Sequence, residues 1–245
     1  MERTLRKFHS VFLIFKDMEV YAMCGRYYVD DDTAKEIRKL LEHLDTRFDR
    51  GKEGKVGKVD KNYVSEEVVK SRNDMIKRAL EVRGEIFPTN NVPILVGDRK
   101  IELTMSKWGF TAPTGKGVLI NARAETAFEK KTFRESLISR RCVIPAAGFY
   151  EWDSDKNKIY FTIPEKRCMY MAGLYRFEKE ESRFVILTTA ANASIKDIHD
   201  RMPLILDEET VPEWICNNNE TNELLHRVPA LLHPNAMYYQ QKLPF

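Results

Sequence analysis

The sequence predicts an α+β fold: one domain built on a curved, mostly antiparallel β-sheet, with peripheral helices. Three observations carry this expectation. From Glu85 onward the apolar residues change from helical spacing to the short runs of strands. Those runs are separated by brief polar turns such as Asp153-Ser154-Asp155-Lys156-Asn157 and Glu178-Lys179-Glu180-Glu181, and short connections favour antiparallel neighbours because parallel ones need long crossovers. A hydrophobic share of 43% in 245 residues is enough for a sizeable core and argues against wholesale disorder.

In chain order, residues 1–22 come first. Arg3, Arg6 and Lys7 precede the apolar run Val11-Phe12-Leu13-Ile14-Phe15, which Lys16 and Asp17 end. A secretory core needs about 7–15 apolar residues and a membrane span about 20, so neither fits. Met18-Glu19-Val20 back-translates to codons able to hold a ribosome-binding sequence just before the Met23 codon. Residues 1–22 are therefore expected to be a non-native or removed extension, and 23–245 the domain. A leader removed by self-cleavage at Met23–Cys24 is the alternative. A start at Met23 makes Cys24 the second residue, small enough for the initiator to be trimmed. Cys24 then carries a free α-amine beside its thiol. Such a 1,2-aminothiol condenses with an aldehyde to an imine and closes through sulfur to a thiazolidine. Reference pKa values of about 7.7–8 and about 8.5 leave both groups partly reactive at neutral pH.

Asp32 to Leu44 reads as a helix, with Asp30, Asp31 or Asp32 as N-cap and Ala34, Ile37, Leu40, Leu41 and Leu44 on its apolar face. Residues 45–62, charged and glycine-punctuated, read as a surface loop, and 65–80 as a second helical stretch. Short strands are expected at Val92–Val96, Ile101–Met105 and Val118–Asn121, and β-rich runs at Cys142–Trp152, Ile159–Ile163, Met169–Phe177 and Phe184–Ala190. Helices are expected at Glu125–Leu137, Ser194–Ile198 and Val211–Cys216.

Composition narrows the function. A net charge of +3 is too slight to announce nucleic-acid binding, so a phosphate-binding surface must come from local clustering of arginines. Cys24, Cys142, Cys168 and Cys216 have neither C-x-x-C spacing nor histidines at zinc-finger spacing. They read as reduced thiols of a cytoplasmic protein with no metal and no cofactor. There is no P-loop, dinucleotide fingerprint, H-E-x-x-H or nucleophile elbow.

Candidate site residues sit where strands end. Asn121 closes a strand in Asn121-Ala122-Arg123-Ala124-Glu125-Thr126, either bonding its own turn or serving a site. Glu125 reads as a first-turn helix carboxylate. In Gly148-Phe149-Tyr150-Glu151-Trp152, alternation puts Phe149 and Glu151 on one face and Tyr150 and Trp152 on the other. Glu151 is then either an exposed strand charge or a partly desolvated acid suited to proton transfer. His199 lies in a turn, Ile198-His199-Asp200-Arg201-Met202-Pro203, and is either structural or catalytic. Trp108 and Trp152 are either core residues or stacking platforms for bases.

Taken in order, Met23-Cys24-Gly25-Arg26, Trp108-Gly109, Asn121-Ala122-Arg123-Ala124-Glu125-Thr126, Arg141-Cys142-Val143-Ile144-Pro145-Ala146-Ala147-Gly148-Phe149-Tyr150-Glu151-Trp152, Leu187-Thr188-Thr189-Ala190-Ala191-Asn192 and His199-Asp200-Arg201-Met202-Pro203 resemble the SOS-response-associated peptidase (SRAP) family. The likeness spans essentially all of 23–245. It implies a barrel-like core with a positively lined cleft, in a protein that binds single-stranded DNA and crosslinks to abasic sites, with lyase and autopeptidase side activities. Cys24 would form the imine and thiazolidine. Asn121 would orient the sugar, Glu151 would shuttle protons, and His199 would help open the sugar ring. Arg26, Arg123 and Arg201 would lie at the DNA backbone, and Trp108 and Trp152 would support or stack on neighbouring bases. A monomeric, cytoplasmic protein, nucleoid-associated when on DNA, is implied, with no membrane partner. Two other readings share these residues: an N-terminal-nucleophile cysteine peptidase, and a noncatalytic single-strand-binding module.

Overall fold

The computed structural model describes residues 25–50, 74, 76–98 and 100–236, without side chains for 44–50 and 236. Residues 1–24, and Cys24 with them, lie outside the described residues, as does the whole stretch 51–73. Fifteen strands, β1–β15, and four α-helices, α1–α4, are described. The fold is α+β, as expected.

Strands β3 (Asn91–Gly97), β4 (Ile101–Trp108), β8 (Arg141–Ala146), β11 (Met169–Glu178) and β12 (Glu181–Ala190) close on themselves in the order β12-β4-β3-β8-β11-β12. Every pairing in this ring is antiparallel except β12 with β4. Closure removes the exposed edges that an open sheet would present. Alternation then sorts the side chains into two sets. Leu95, Leu103, Val143, Ala172, Leu174, Val185 and Leu187 join the residues of the helices in one core cluster. Ile94, Trp108, Ile144, Met171, Phe184 and Ile186 join a second cluster with Tyr27, Phe149 and Phe161.

Those last three belong to a separate five-stranded sheet, ordered β15 (His233–Ala236), β10 (Lys158–Thr162), β9 (Gly148–Trp152), β1 (Arg26–Val29) and β2 (Gly84–Ile86). The β-rich run Cys142–Trp152 is two strands in two sheets. Ala147 separates them, its N–H donating to Tyr28 O at 2.8 Å. Gly148 permits the close approach that follows, because a Cβ there would lie 2.6 Å from the Tyr160 ring.

Helix α1 (Asp31–Arg50) starts one residue before its expected first residue. Asp30 is the cap: its Oδ1 accepts the Thr33 N–H at 2.7 Å, and Thr33 Oγ1 returns a bond to the Asp30 N–H at 3.4 Å. The helix runs into the segment expected as loop, and residues 51–62 of that segment are not described. Of the stretch expected as a second helix, 74 and 76–79 are helical among the described residues. The span expected as one helix, Glu125–Leu137, is a 3-10 turn at Ala124–Thr126 and then α2 (Lys131–Ser139). Residues 193–198 form hydrogen-bonded turns instead of a helix. Helix α3 (Val211–Cys216) has the expected bounds, and α4 (Thr221–Leu225) follows it. Among the described residues, no helix is long and apolar enough to cross a membrane.

Candidate active site

Strand β12 organises one half of the site. Along one edge it pairs with β4 and then, in parallel, with β7 (Asn121–Arg123); along the other it pairs with β11 and then β13 (Arg201–Pro203). Asn121 stands opposite Ile186 and Arg123 opposite Thr188, while Ala190 on the far edge pairs with Arg201. Asn121, Arg123, His199 and Arg201, scattered over 81 positions of sequence, are thus gathered around the end of one strand.

Contacts here are specific. The Arg201 guanidinium donates to both Glu125 oxygens, Nη1 to Oε1 at 2.6 Å and Nη2 to Oε2 at 2.8 Å, and Nη2 also donates to Thr188 O at 2.7 Å. The hydrogen bond from Arg201 holds the Glu125 carboxyl below its ordinary range. The Arg201 backbone N–H donates to His199 Nδ1 at 3.0 Å, and Asp200 Oδ1 lies 3.0 Å from the same nitrogen. Arg123 is exposed at the end of its strand.

The five-stranded sheet supplies the other half. β1 and β9 pair with Arg26 opposite Tyr150 and Tyr27 opposite Phe149. Glu151 follows Tyr150 on β9 and sits opposite Ile159 of β10. It is only 4% exposed, which rejects the exposed-charge alternative and retains the desolvated-acid one. Arg26 packs its guanidinium over two rings, 4.4 Å from the centroid of Phe87 and 5.2 Å from that of Trp152.

Glu85 and Lys158 complete this face. Lys158, on β10, reaches across β9 and β1 to form an ion pair with Glu85 on β2. Lys158 Nζ also lies 3.9 Å from the Tyr150 ring centroid, and Arg26 Nη1 is 3.5 Å from Glu85 Oε2. Sequence reasoning gave neither residue a role. Lys158 follows a polar turn and reads as part of it, and only the two-strand span to Glu85 marks it as buried.

Trp108 is fully buried at 0% exposure. It cannot stack on a base, which corrects that half of its expected role. Its ring lies 5.2 Å from Tyr27, beside Arg26, and its Nε1–H donates to Ile120 O at 3.0 Å, beside Asn121. Trp108 thus supports both halves of the site from below. Trp152 is half-buried.

A closed barrel flanked by a second sheet, with a buried carboxylate near the start of β1, defines the class, and comparison with known proteins gives the family. The chain belongs to the SOS response associated peptidase (SRAP) family, whose model matches residues 23–241. It is 37% identical over 164 residues to the abasic site processing protein YoqW of Bacillus subtilis, covering 61% of this chain and 72% of that one. Against the abasic site processing protein YedK of Escherichia coli it is 36% identical over 127 residues, covering 48% and 57%. The abasic site processing protein HMCES of Xenopus tropicalis is 27% identical over 173 residues, covering 52% of each chain. Crystal structures from Bacteroides thetaiotaomicron and Bordetella bronchiseptica share the fold, with TM-scores of 0.55 and 0.57 at 24% identity; they cover 63% and 65% of this chain and 77% and 89% of their own.

Proposed function

We propose that this protein processes abasic sites in single-stranded DNA by crosslinking to them through Cys24 as its N-terminal residue. The observation that carries the reading is the burial of Glu151 on the strand beside β1, in a member of a family whose relatives are named for abasic site processing. The α-amine of Cys24 attacks the C1′ aldehyde of the ring-opened deoxyribose, and one water leaves to give the imine. The thiol then adds across the C=N bond, its sulfur to carbon and its proton to nitrogen, closing the thiazolidine. An open imine invites β-elimination and strand breakage, so ring closure protects the lesion. Glu151 serves as the general acid and base for water loss and sugar opening, a role worth about 10²–10⁴ in rate. Asn121 orients the sugar, and His199 engages the oxygen that ring opening releases. Arg26 and Arg123 take backbone phosphates, and Trp152 supports a neighbouring base. The protein acts in the cytoplasm as a monomer and joins the nucleoid when on DNA. The family's description as a peptidase favours a second activity of the same residue, self-cleavage at Met23–Cys24.

Intact mass before and after incubation with single-stranded DNA carrying one abasic site tests the reading. The expected result is a protein beginning at Cys24 and an adduct of protein plus DNA less one water. Cys24→Ser keeps the amine but loses the sulfur, so it should give a borohydride-trappable imine and little permanent adduct. Glu151→Gln should slow crosslinking about 10²-fold or more while sparing affinity for undamaged strands. A correctly trimmed protein that forms no adduct defeats the proposal.

A further inference from the structure

The Glu125–Arg201 pair holds more than charge. Arg201 is committed at both ends: its guanidinium to Glu125 and Thr188, its backbone N–H to His199 Nδ1. Its Nε is buried with no hydrogen-bond partner among the described residues, so the side chain is fixed by the fork end alone. A bidentate carboxylate on a guanidinium leaves that fork poorly placed for a phosphate. The backbone bond matters as much. An N–H aimed at Nδ1 requires a lone pair there, which puts the proton of a neutral imidazole on Nε2. Asp200, a pure acceptor when ionised, cannot bond that lone pair. A proton on Nδ1 could be donated to Asp200, but it would then face the Arg201 N–H, a second donor 3.0 Å from the same nitrogen. With the Arg201 N–H directed at Nδ1, the free nitrogen of a neutral His199 is a donor.

We infer that Glu125 and Arg201 are positioning residues that hold His199 as the Nε2–H tautomer, so that His199 presents a hydrogen-bond donor, and not a base, to the sugar oxygen. This rests on the proposed abasic-site reading and deepens it. Glu125, in the 3-10 turn that follows β7, anchors Arg201 of β13 across β12, and Arg201 in turn fixes the ring. No proton has to leave His199: donation from Nε2 stabilises the charge that develops on the oxygen, while Glu151 moves the protons.

Two measurements on the full chain test it. The first needs no DNA. Nitrogen-15 spectra of the histidine rings, with His199 assigned by its loss in His199→Asn, should show the Nε2–H tautomer in the wild type. In Glu125→Gln they should show a mixture of tautomers. A wild-type ring carrying its neutral proton on Nδ1 overturns the inference. So does a tautomer that Glu125→Gln leaves unmoved. The second is the crosslinking rate at saturating abasic DNA. Glu125→Gln should cost about ten-fold in the wild type, which is 1.4 kcal/mol, and nothing further in a His199→Ala background. An equal loss in both backgrounds overturns the coupling. If Arg201 were instead a phosphate ligand masked by Glu125, Glu125→Gln would tighten binding of undamaged single strands and leave the saturated rate unchanged, which also overturns it. A wild type that forms no adduct would defeat the DNA reading alone, with the tautomer measurement still deciding the positioning claim.

Discussion

Trp108 shows how one side chain can serve a site without touching what binds there. Its indole is sealed beneath Tyr27 and within ring-stacking distance of Phe184, and its N–H ends on the carbonyl just before Asn121. Replacing it with phenylalanine keeps an aromatic ring in the same space but leaves the Ile120 carbonyl without that donor. A buried unsatisfied group costs about 1–3 kcal/mol, so Trp108→Phe should lower the urea midpoint by a corresponding amount. Affinity for undamaged single strands, and its dependence on salt, should stay unchanged in the folded variant. Weaker strand binding at undiminished stability would instead make Trp108 a stacking residue. The sequence offered both roles because hydrophobic patterning marks an aromatic residue without saying which end of the barrel it closes.

Arg141 holds elements together in a similar way. Although it begins β8, its guanidinium is buried against the C-terminal ends of two helices. Nη1 donates to Leu137 O and Ile138 O of α2, both at 2.9 Å, and Nε donates to Trp214 O of α3 at 2.5 Å. Helix C-termini carry unsatisfied carbonyls and partial negative charge, so one fork closes two helix ends onto the barrel. Arg141→Ala strands several of these carbonyls, and a loss of about 3 kcal/mol or more is expected in denaturant unfolding. Arg141→Lys, with a point charge in place of the fork, should recover only part of it; full recovery by lysine would refute the two-helix clasp. Much at this scale was legible in the sequence. The apolar spacing of Ala34, Ile37 and Leu40 marked a real helix face, and the polar turns marked antiparallel neighbours. What was not legible came from tertiary choices. The break at Ala147 sends a continuous apolar run into two sheets, and local composition does not record which sheet will accept each half. The short strand β13 was read as a turn before the apolar run Leu204-Ile205-Leu206; Pro203 is a poor strand former, and pairing with β12 overrides that. Of the site, Glu151 and His199 were visible as polar residues at strand ends, whereas the Glu85–Lys158 pair required knowing the strand order.

Across the whole molecule, the described thiols are kept apart from the chemistry proposed for Cys24. Burial pushes the Cys142 and Cys168 thiols well above the ordinary thiol value of 9.0, and burial raises Cys216 as well. Each of the three is therefore held as the inert neutral form at neutral pH. The same burial sets how stability responds to alkali. A thiol whose folded-state value is raised contributes nothing adverse below about pH 9, where folded and unfolded chains both keep the proton. Above that value the unfolded chain releases its proton while the folded one does not, so stability falls as pH rises, by about 1.4 kcal/mol per thiol for each pH unit. The Glu125 carboxyl, held low by Arg201, has the opposite sign: its contribution is present above its ordinary value of 4.5 and is lost as pH falls through its folded value. Unfolding free energies from urea titrations should therefore be flat near neutrality and decline on both sides. The alkaline limb has a specific test. Cys142→Ala removes one buried thiol, and between pH 9.5 and 10.5 the variant's slope should be shallower than the wild type's by about 1.4 kcal/mol per pH unit. An unchanged slope would mean that Cys142 ionises as readily in the folded chain as in the unfolded one. The closed barrel would then admit water to a thiol that its packing requires to be dry.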